Sequence, residues 1–151
     1  MDKKLEKFLK ENKIKYQLHE HKKVFTAHDE AQTQHIKTKE VAKVVLVKCD
    51  KDFALVVIPA QKYVDFKKVK KVLKAKKVSM AKESDITKVL KTKIGLIHPV
   101  GNLFQLPTLL DNPLAKQKTI MASAGSYTES IELKVKDFIK LVQPIKGAFS
   151  K

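Results

Sequence analysis

The sequence predicts an α+β fold built around a curved β-sheet or a partly open barrel. Helical and strand-like segments follow one another without the regular βαβ rhythm of a doubly wound parallel sheet. The chain of 151 residues has the usual size of one domain, and no repeat, linker or shift in composition divides it. We therefore expect a single domain over residues 1–151.

The N-terminal segment predicts one helix and one strand. Leu5, Phe8 and Leu9 recur at helical spacing among charged residues, which indicates a helix over residues 4–12. A short strand is expected over residues 15–20.

Two threonines stand where further helices could begin. Thr26 can cap a helix over residues 27–35, and Asp29 follows it at the spacing of a capping motif. Thr38 can start another helical turn that continues to Val41.

The segment VVLVKCDKDFALVVIPA, residues 44–60, predicts a β-hairpin. Two β-branched runs flank the polar Asp50, Lys51 and Asp52, as expected of two strands joined by a tight turn. The runs are almost continuously apolar, so both strands should be buried on both faces.

The segment DFKKVKKVLKAKK, residues 65–77, predicts an amphipathic helix with a lysine-dense outer face. Its apolar side consists of Phe66, Val69, Val72 and Leu73. Lysines occupy most of the other side, where they could bind the phosphates of RNA or form only a solvated surface. The predicted RNA-binding residues are Lys67, Lys70, Lys71 and Lys74.

The remaining segments alternate short strands and helices. In chain order they are a strand over 78–81, a helix from Ser84 or Asp85 to about Lys91, strands over 118–125 and 130–134, and a closing helix over 135–142. The residues after this helix are expected to form a tail.

Charge is the main compositional signal. The chain has 32 basic residues, all of them lysine, against 16 acidic residues, which leaves a formal charge of +16. Lysine is a point charge that suits phosphate, whereas arginine suits bidentate reading of base edges. The composition fits binding of a nucleic-acid backbone, and a basic surface that only improves solubility is the alternative.

Several features indicate a protein of the cytoplasm. No apolar run approaches the length needed to span a bilayer, and the N-terminal segment is too charged for a signal peptide. The single cysteine, Cys49, cannot form an internal disulfide. We expect it to be a structural thiol at a strand end, since the neighbouring Asp50 would not favour a thiolate.

The sequence lacks the motifs of the common nucleophilic, nucleotide-binding and redox sites: GxSxG, the P-loop, GxGxxG and CxxC. His19 and His21 could offer two metal ligands from one strand face, but no cysteine or acidic cluster lies at metal spacing. We expect polar surface histidines here, with neither a metal site nor a cofactor.

Three places could still carry chemistry. Lys43 stands at the start of an apolar strand, where partial desolvation would lower its pKa; a lysine that reaches out to water is the alternative. MASAGSYTES, residues 121–130, could aim backbone amides into a pocket through a turn at Gly125, or form an ordinary hairpin turn. In KIGLIHPVGNLFQLPTLLD, residues 93–111, His98 could be a general base, a pocket wall or a satisfied loop histidine.

The order of these segments is similar to that of a known family. FTAHDEA, VAKVVLV and VVIPA come first, followed by DFKKVKKVLKAKKVSMA, GLIHPVGNLFQLPTLLD and ASAGSYTESIEL. Over about residues 15–142 the chain resembles the YbaK and prolyl-tRNA-synthetase-associated editing domains. The resemblance implies a free-standing aminoacyl-tRNA deacylase, built on a mixed sheet curled into a pseudo-barrel with helices outside.

The resemblance also implies roles for individual residues. Lys43 falls on the family's functionally important lysine, and Gly125 falls on the glycine of its small-residue loop. Gly95 and Pro99 fall on the glycine and proline of the GxxxP loop. The predicted catalytic residues are Lys43 and Gly95. The predicted substrate-binding residues are Val44, Ile97, His98, Pro99, Gly101, Ala124, Gly125 and Ser126.

Two positions depart from the family pattern. Val44 stands where many members have threonine, and His98 stands where cysteine-specific relatives often have serine. Both changes alter groups near the implied aminoacyl pocket. They put a preference for cysteine in doubt and leave alanine, serine and other small amino acids open.

We therefore predict an enzyme that hydrolyses the ester of a mischarged tRNA, with tRNA(Pro) carrying alanine, serine or cysteine as the expected substrate. An aminoacyl-tRNA synthetase could be a further partner, and neither DNA nor a membrane is expected. Two alternatives remain. One is a tRNA- or RNA-binding module without catalysis, and the other is a regulatory domain that binds a free amino acid or a nucleotide.

Overall fold

The computed structural model describes residues 1–21 and 41–151. Strands in these ranges form two sheets, one of five strands and one of three, and the helices lie against them. The predicted α+β class is confirmed. The prediction of a single sheet curled into a pseudo-barrel is wrong, because the strands divide between two sheets and neither of them closes. The helix starts predicted at Thr26 and Thr38 lie outside the described residues.

Five α-helices occur within the described ranges. They are α1 (Lys3–Glu11), α2 (Phe66–Leu73), α3 (Glu83–Asp85), α4 (Asn112–Ala115) and α5 (Val135–Val142). A π-helical turn over Ile86–Leu90 continues α3, and a 3-10 turn covers Gly101–Phe104. The predicted N-terminal and closing helices are confirmed as α1 and α5. None of the described helices is long and apolar enough to cross a bilayer.

Within residues 1–21 and 41–151, the two sheets contain eight strands. They are β1 (Tyr16–Glu20), β2 (Ala42–Cys49), β3 (Asp52–Pro59), β4 (Val78–Met80), β5 (Thr108–Asp111), β6 (Thr119–Ser123), β7 (Glu129–Lys134) and β8 (Ile145–Gly147). The predicted hairpin is β2 with β3, and four of the other predicted strands are found as β1, β4, β6 and β7. Strands β5 and β8 were not predicted.

The larger sheet has the strand order β4-β2-β3-β5-β8. Strand β2 is antiparallel to β3 and β4, whereas β5 runs parallel to β3 and β8 runs parallel to β5. Strand β3 is central, and its residues 54–59 are all buried. Burial on both faces is the physical reason for the unbroken apolar run in the sequence.

The smaller sheet is antiparallel, with the order β1-β7-β6. It meets the larger sheet at one parallel bridge between Val41 and Met121. The beginning of β2 therefore runs beside the end of β6, and this contact brings the predicted lysine site close to the small-residue loop.

The larger sheet separates two apolar layers, because successive side chains point to opposite faces. The face covered by α2, called the α2 face below, carries Val47, Val56, Ile58 and Leu109, packed with Val69 and Phe149. The other face, called the α5 face, carries Ala42, Val57 and Leu110, packed with Leu5, Leu114 and Phe138.

Helix α2 is shorter than the sequence predicted. It ends at Leu73, and Lys74 adopts the left-handed conformation that closes the helix. Val69 is fully buried, but Val72 is 43% exposed and does not belong to the buried side. The buried apolar side of helix α2 is thus narrower than the spacing of apolar residues in the sequence predicted.

The chain after α2 is tied to the turn between β2 and β3. The amides of Lys76 and Lys77 donate to the carboxylate of Asp50, at 3.1 and 2.9 Å. These backbone hydrogen bonds lower the pKa of Asp50. Cys49 is buried beside this turn, and its burial and the nearby carboxylates raise the pKa of its thiol. The expectation of a structural thiol at a strand end is confirmed.

The segment after α5 is not a tail. Residues 145–147 form β8, and Phe149 is completely buried on the α2 face. Ser150 forms an antiparallel bridge with Val64. Residues 149–151, called the strap below, therefore cross the α2 face beside the segment that precedes helix α2.

Candidate functional site

Lys43 lies near the start of β2 and pairs with Ile58 across the hairpin. Directly paired side chains share a face, so Lys43 projects from the α2 face. Its ammonium donates a hydrogen bond to the carbonyl of Lys62 and lies 4.8 Å from the centre of the Tyr63 ring. Partial burial lowers the pKa of Lys43, which agrees with the desolvated alternative for this lysine rather than with a side chain that reaches out to water.

This environment suits the binding of an anion. An ammonium group has three N–H donors, and the Lys62 carbonyl accepts only one of them. The field of a partly desolvated cation is less screened than that of a lysine in bulk water. Lys43 can therefore attract phosphate, or an oxygen on which negative charge develops.

The strap holds the segment beneath Lys43. Tyr63 and Lys151 exchange two backbone hydrogen bonds, at 3.1 and 2.8 Å, and the amide of Asp65 donates to the carbonyl of Phe149. The carboxylate of Asp111 is 1% exposed and accepts from the amide of Phe149, at 2.7 Å, and from the hydroxyl of Ser150. The Lys62 carbonyl and the Tyr63 ring thus lie on a fixed backbone.

Gly95 lies in a tight turn at the start of the predicted GxxxP loop. The amide of Leu96 donates to the carbonyl of Lys93, at 3.0 Å, and Gly95 has a φ of 87° at the third position of the turn. A type II turn requires a positive φ at that position, which favours glycine. Gly95 is half-buried, so its backbone is partly open to solvent.

His98 is a buried, neutral imidazole. It is 2% exposed and stacks on Phe104, with ring centres 4.7 Å apart. Burial lowers its pKa to about 4. The amide of Val100 donates to Nδ1, at 3.2 Å, so the ring proton is on Nε2. With one nitrogen engaged and the other protonated, His98 is not placed to act as a general base, and it fits the alternative of a satisfied loop histidine.

The other predicted residues of this loop are also buried. Ile97 is 5% exposed, and Pro99 and Gly101 are buried as well. A Cβ atom on Gly101 would lie 2.1 Å from the hydroxyl oxygen of Thr108, so glycine is required there by packing. In this conformation these residues pack inside the loop and stabilise its shape. Their contact with a ligand remains a prediction.

The small-residue loop is built around Gly125. Its φ is +84°, and a Cβ atom there would lie 2.7 Å from the Cβ of Asp2. The amide of Gly125 donates to Ser123, at 3.1 Å, and the amide of Ala124 donates to the carbonyl of Glu129, at 3.2 Å. Two of the three amides expected to face a substrate are thus already bonded within the loop. The amide of Ser126 has no such acceptor among the described residues.

The structure brings only some of the predicted residues together. Beyond the Val41–Met121 bridge, Lys43 and Ser123 follow on the same side of their strands, which places the small-residue loop next to the lysine. Val44 projects from the opposite face, where it packs in the same apolar cluster as Val100 and Ala124. The residues predicted to form the pocket walls therefore lie on the opposite side of the sheet from the ammonium of Lys43.

The lysines of α2 share the face of Lys43. Lys67, Lys70, Lys71 and Lys74 are all exposed, as the sequence predicted. Helix α2 begins three residues after Tyr63 and lies across the α2 face through Val69. The ammonium of Lys43 and the basic helix therefore belong to one side of the protein.

The two N-terminal histidines are engaged with the neighbouring strand. His19 pairs with Glu132, at 2.9 Å, and Nε2 of His21 lies 2.8 Å from the hydroxyl oxygen of Ser130. The described part of the chain holds no group of three or more metal-ligating side chains that could bind an ion.

A cavity of about 630 Å³ opens elsewhere, between α4, β6 and the start of α5. None of the predicted site residues lines it. Its walls include Ala115, Thr119, Val135 and Ile139.

Sequence reasoning missed three residues that organise the site: Asp2, Tyr63 and Asp111. Tyr63 is an aromatic residue set among polar residues directly after a buried strand, and this signal was available. Asp2 caps α1 and contacts the loop at Gly125, while Asp111 binds the strap. These two roles depend on contacts between distant segments, which no local pattern reveals.

Comparison with known proteins defines the family. A model of the aminoacyl-tRNA editing domain matches residues 21–141, which is most of the chain. The protein belongs to the aminoacyl-tRNA editing domain family. The resemblance noted from the order of the sequence segments is thereby confirmed at the level of the family.

Several solved structures share this fold. The crystal structure of the hypothetical protein APE2540 matches with a TM-score of 0.92 and 17% identity, over 99% of this chain and 100% of that one. A proposed trans-editing enzyme for prolyl tRNA synthetase matches with a TM-score of 0.84 and 16% identity, over 100% and 99% of the two chains. A proposed signal transduction protein from Marinobacter aquaeolei VT8 matches with a TM-score of 0.75 and 15% identity, but only over 31% of its length.

Proposed function

We propose that this editing-domain protein is an aminoacyl-tRNA deacylase that acts in trans. Its expected substrate is the ester between the 3′-terminal ribose of tRNA(Pro) and a small, wrongly attached amino acid such as alanine, serine or cysteine. The observation that carries the proposal is the partly desolvated ammonium of Lys43, on the same face as the exposed lysines of α2, in a chain of the editing-domain family.

In this proposal Lys43 binds the 3′ end and stabilises the charge that develops during hydrolysis. Water attacks the carbonyl carbon of the ester, and the carbonyl oxygen becomes negative in the tetrahedral intermediate. A preorganised ammonium in a partly dried site stabilises that charge. The bond to the ribose oxygen then breaks, and a proton that originates from the attacking water reaches that oxygen through the vicinal hydroxyl.

Such a reaction needs no side-chain nucleophile. An ester is already activated, so a positioned water is sufficient. We assign the positioning of this water to the backbone near Gly95, whose turn is fixed by the hydrogen bond from Leu96 to Lys93. The amide of Ser126 is the donor of the small-residue loop that remains available to the carbonyl or the terminal adenosine.

The size of the amino acid would be limited by exclusion. Val44 and Ile97 pack in one apolar cluster on the face opposite the ammonium of Lys43, and His98 is buried next to Ile97. These residues would limit the amino acid where its side chain reaches round the start of β2. One methylene in an apolar pocket changes discrimination by only about 1–3 kcal/mol. Rejection of large side chains is therefore more plausible than fine sorting among alanine, serine and cysteine.

Basic residues on α2 would bind the acceptor arm of the tRNA. Lys67, Lys70, Lys71 and Lys74 present ammonium groups on an exposed helical face. Contacts between lysine and phosphate give an affinity that falls as salt displaces them. This binding would hold the tRNA while the 3′ end reaches Lys43.

The deciding experiment measures amino acid release from Ala-, Ser- and Cys-tRNA(Pro) by the purified protein, with correctly charged Pro-tRNA(Pro) as the control. Release of a small amino acid, sensitive to Lys43→Met, supports the proposal. Binding of tRNA without release from any mischarged species would instead indicate an RNA-binding module. A melting shift with free amino acids or nucleotides, without tRNA affinity, would indicate a regulatory domain.

A further inference from the structure

We propose that Tyr63 is a stacking platform for a nucleobase, and that it receives the base of the terminal nucleotide of an RNA 3′ end. This inference rests on the proposed function for the identity of the RNA, but its central test does not require hydrolysis. It assigns a binding role to a residue outside the predicted site.

Tyr63 presents its ring to solvent. It is 72% exposed, which makes it the most exposed large apolar side chain among the described residues. Single exposed apolar residues are common on protein surfaces, so exposure alone has little meaning. The position of this ring, next to the ammonium of Lys43, distinguishes it from the others.

The backbone of Tyr63 is held on both sides. Its amide and carbonyl both bond to Lys151, and the next residue, Val64, is 5% exposed and bridges to Ser150. The ring is therefore exposed while its backbone is fixed by the strap. A group held in its binding geometry before the ligand arrives loses less entropy on binding.

Cations flank the ring. Lys43 lies over one ring face, where its charge and the ring quadrupole attract each other. The directly opposed pair of Tyr63 and Lys151 places their side chains on one side of the ladder. Lys62 is exposed as well. A flat aromatic surface in contact with one ammonium group, with further lysines nearby in the chain and across the ladder, matches a nucleotide, whose base can stack while its phosphates are neutralised.

The platform and the proposed chemistry are compatible in space. A base on the free face of Tyr63 would lie on the side of the ring opposite the ammonium of Lys43, which is 4.8 Å from the ring centre. The ribose and its ester would then extend past the edge of the ring to reach the ammonium proposed to stabilise the hydrolysis. The role proposed for Tyr63 thus adds to the proposed site a position for the terminal base.

The absence of tryptophan from the chain permits a direct test. In the variant Tyr63→Trp, the platform itself becomes the only tryptophan, and a stacked base quenches its fluorescence. The probe is an uncharged RNA hairpin ending in single-stranded CCA, compared with the same hairpin carrying an abasic terminal nucleotide. We expect saturable quenching by the first probe, with an affinity roughly 5- to 150-fold higher than for the abasic probe.

Leu18→Trp provides the matched reporter, since Leu18 is 42% exposed but lies on β1 in the other sheet. Its fluorescence should not respond to the identity of the terminal nucleotide. If Tyr63→Trp responds equally to the intact and abasic ends, or does not respond at all, the platform is overturned.

Kinetics give a second, separate readout. With wild-type activity established, Tyr63→Ala should raise KM for aminoacyl-tRNA more than it lowers kcat, and Tyr63→Phe should restore KM because it keeps the ring. An unchanged KM in a folded Tyr63→Ala protein contradicts the platform. If the wild-type protein released no amino acid from any mischarged tRNA, the proposed deacylase would fail, and the fluorescence titration would still decide the role of Tyr63.

Discussion

The ammonium of Lys43 and the ring of Tyr63 are in contact, with 4.8 Å between the nitrogen and the ring centre. The local sequence does not predict this contact, because the contact depends on the strap that fixes the backbone of Tyr63. The partial burial of Lys43 also disfavours its charged form. The protein therefore maintains a cation in a position that costs folding free energy.

Replacement of Lys43 should separate activity from stability. We expect Lys43→Met to remain folded, with a melting temperature equal to or above that of the wild type, because a partly desolvated charge is removed. Its kcat for deacylation should fall by roughly 100-fold or more if the ammonium stabilises the intermediate. Lys48→Met, at an exposed position on the same strand, is the matched control. A folded Lys43→Met protein with wild-type turnover would contradict the assigned role.

His98 should make the protein less stable in acid. Its pKa is lowered from 6.5 to about 4, so the unfolded chain binds a proton more readily than the folded protein between these pH values. Stability contributed by the neutral ring is present above pH 6.5 and is lost as pH falls through 4. The shift corresponds to about 3 kcal/mol.

The comparison of wild type with His98→Asn isolates this effect. Asparagine retains an acceptor for the amide of Val100 but does not titrate. The difference in unfolding free energy between the two proteins should shrink by about 3 kcal/mol from pH 7 to pH 4, as measured by urea denaturation. A difference that stays constant with pH would show that His98 does not become charged on unfolding in this range.

Charge reversal on α2 should weaken substrate binding. The variant carries Lys70→Glu, Lys71→Glu and Lys74→Glu, and we expect KM to rise more than kcat falls. The slope of log KM against log salt should decrease by up to about 3, roughly one per lost phosphate contact.

The control for this variant carries the same change in charge on the opposite side. Lys116, Lys136 and Lys140 are exposed and lie on or next to α4 and α5, which pack against the α5 face. Their reversal to glutamate should leave the salt slope close to that of the wild type. Equal effects of both triple variants would indicate that only net charge matters, and that α2 has no specific role.

Gly125 should couple to Asp2. Gly125→Ala introduces a residue with a side chain at positive φ and pushes against Asp2, which caps α1 by accepting from the amide of Leu5. We expect a loss of about 2–3 kcal/mol, from backbone strain of about 1–2 and loss of the cap of about 1. In the double variant with Asp2→Gly the close contact is relieved, so the combined loss should be less than the sum. Strict additivity in this double-mutant cycle would be evidence against the contact.

Asp111 should control the strap. Asp111→Ala leaves the buried amide of Phe149 without its acceptor, and we expect a loss of roughly 2–3 kcal/mol. Asp111→Asn keeps one acceptor oxygen and should be milder. Hydrogen exchange at the amides of Tyr63 and Lys151 should accelerate more than exchange at the centre of β3. Protection at these amides that is unchanged in Asp111→Ala would show that the strap is held by other contacts.

The sequence allowed the hairpin and the terminal helices to be predicted because their signals are local. The β-branched runs of β2 and β3 are long and apolar, and Leu5 and Leu9 recur at helical spacing. Strand β5 has only four residues after Pro107, and β8 has three. Their existence depends on parallel neighbours contributed from elsewhere in the chain, which side-chain periodicity does not specify.

The division into two sheets was missed for a related reason. Periodicity reveals which residues form strands, but the partner of each strand is decided by contacts across the whole molecule. At the site, the sequence left two alternatives for Lys43, and the structure favours the partly desolvated one. The burial of His98 depends on its packing against Phe104, and the position of Tyr63 depends on the strap. Neither could be predicted from the local sequence.

The pairing of β1 with β7 has a consequence for how the chain folds. His19 and Glu132 are hydrogen-bonded partners, yet 113 residues separate them. During synthesis, β1 must wait until β7 has left the ribosome before it can join its sheet. Such long-range closure slows folding and prolongs the exposure of the apolar hairpin, which is a period of risk for aggregation. We therefore expect the yield of native protein to depend on temperature and expression rate more strongly than the final stability would suggest.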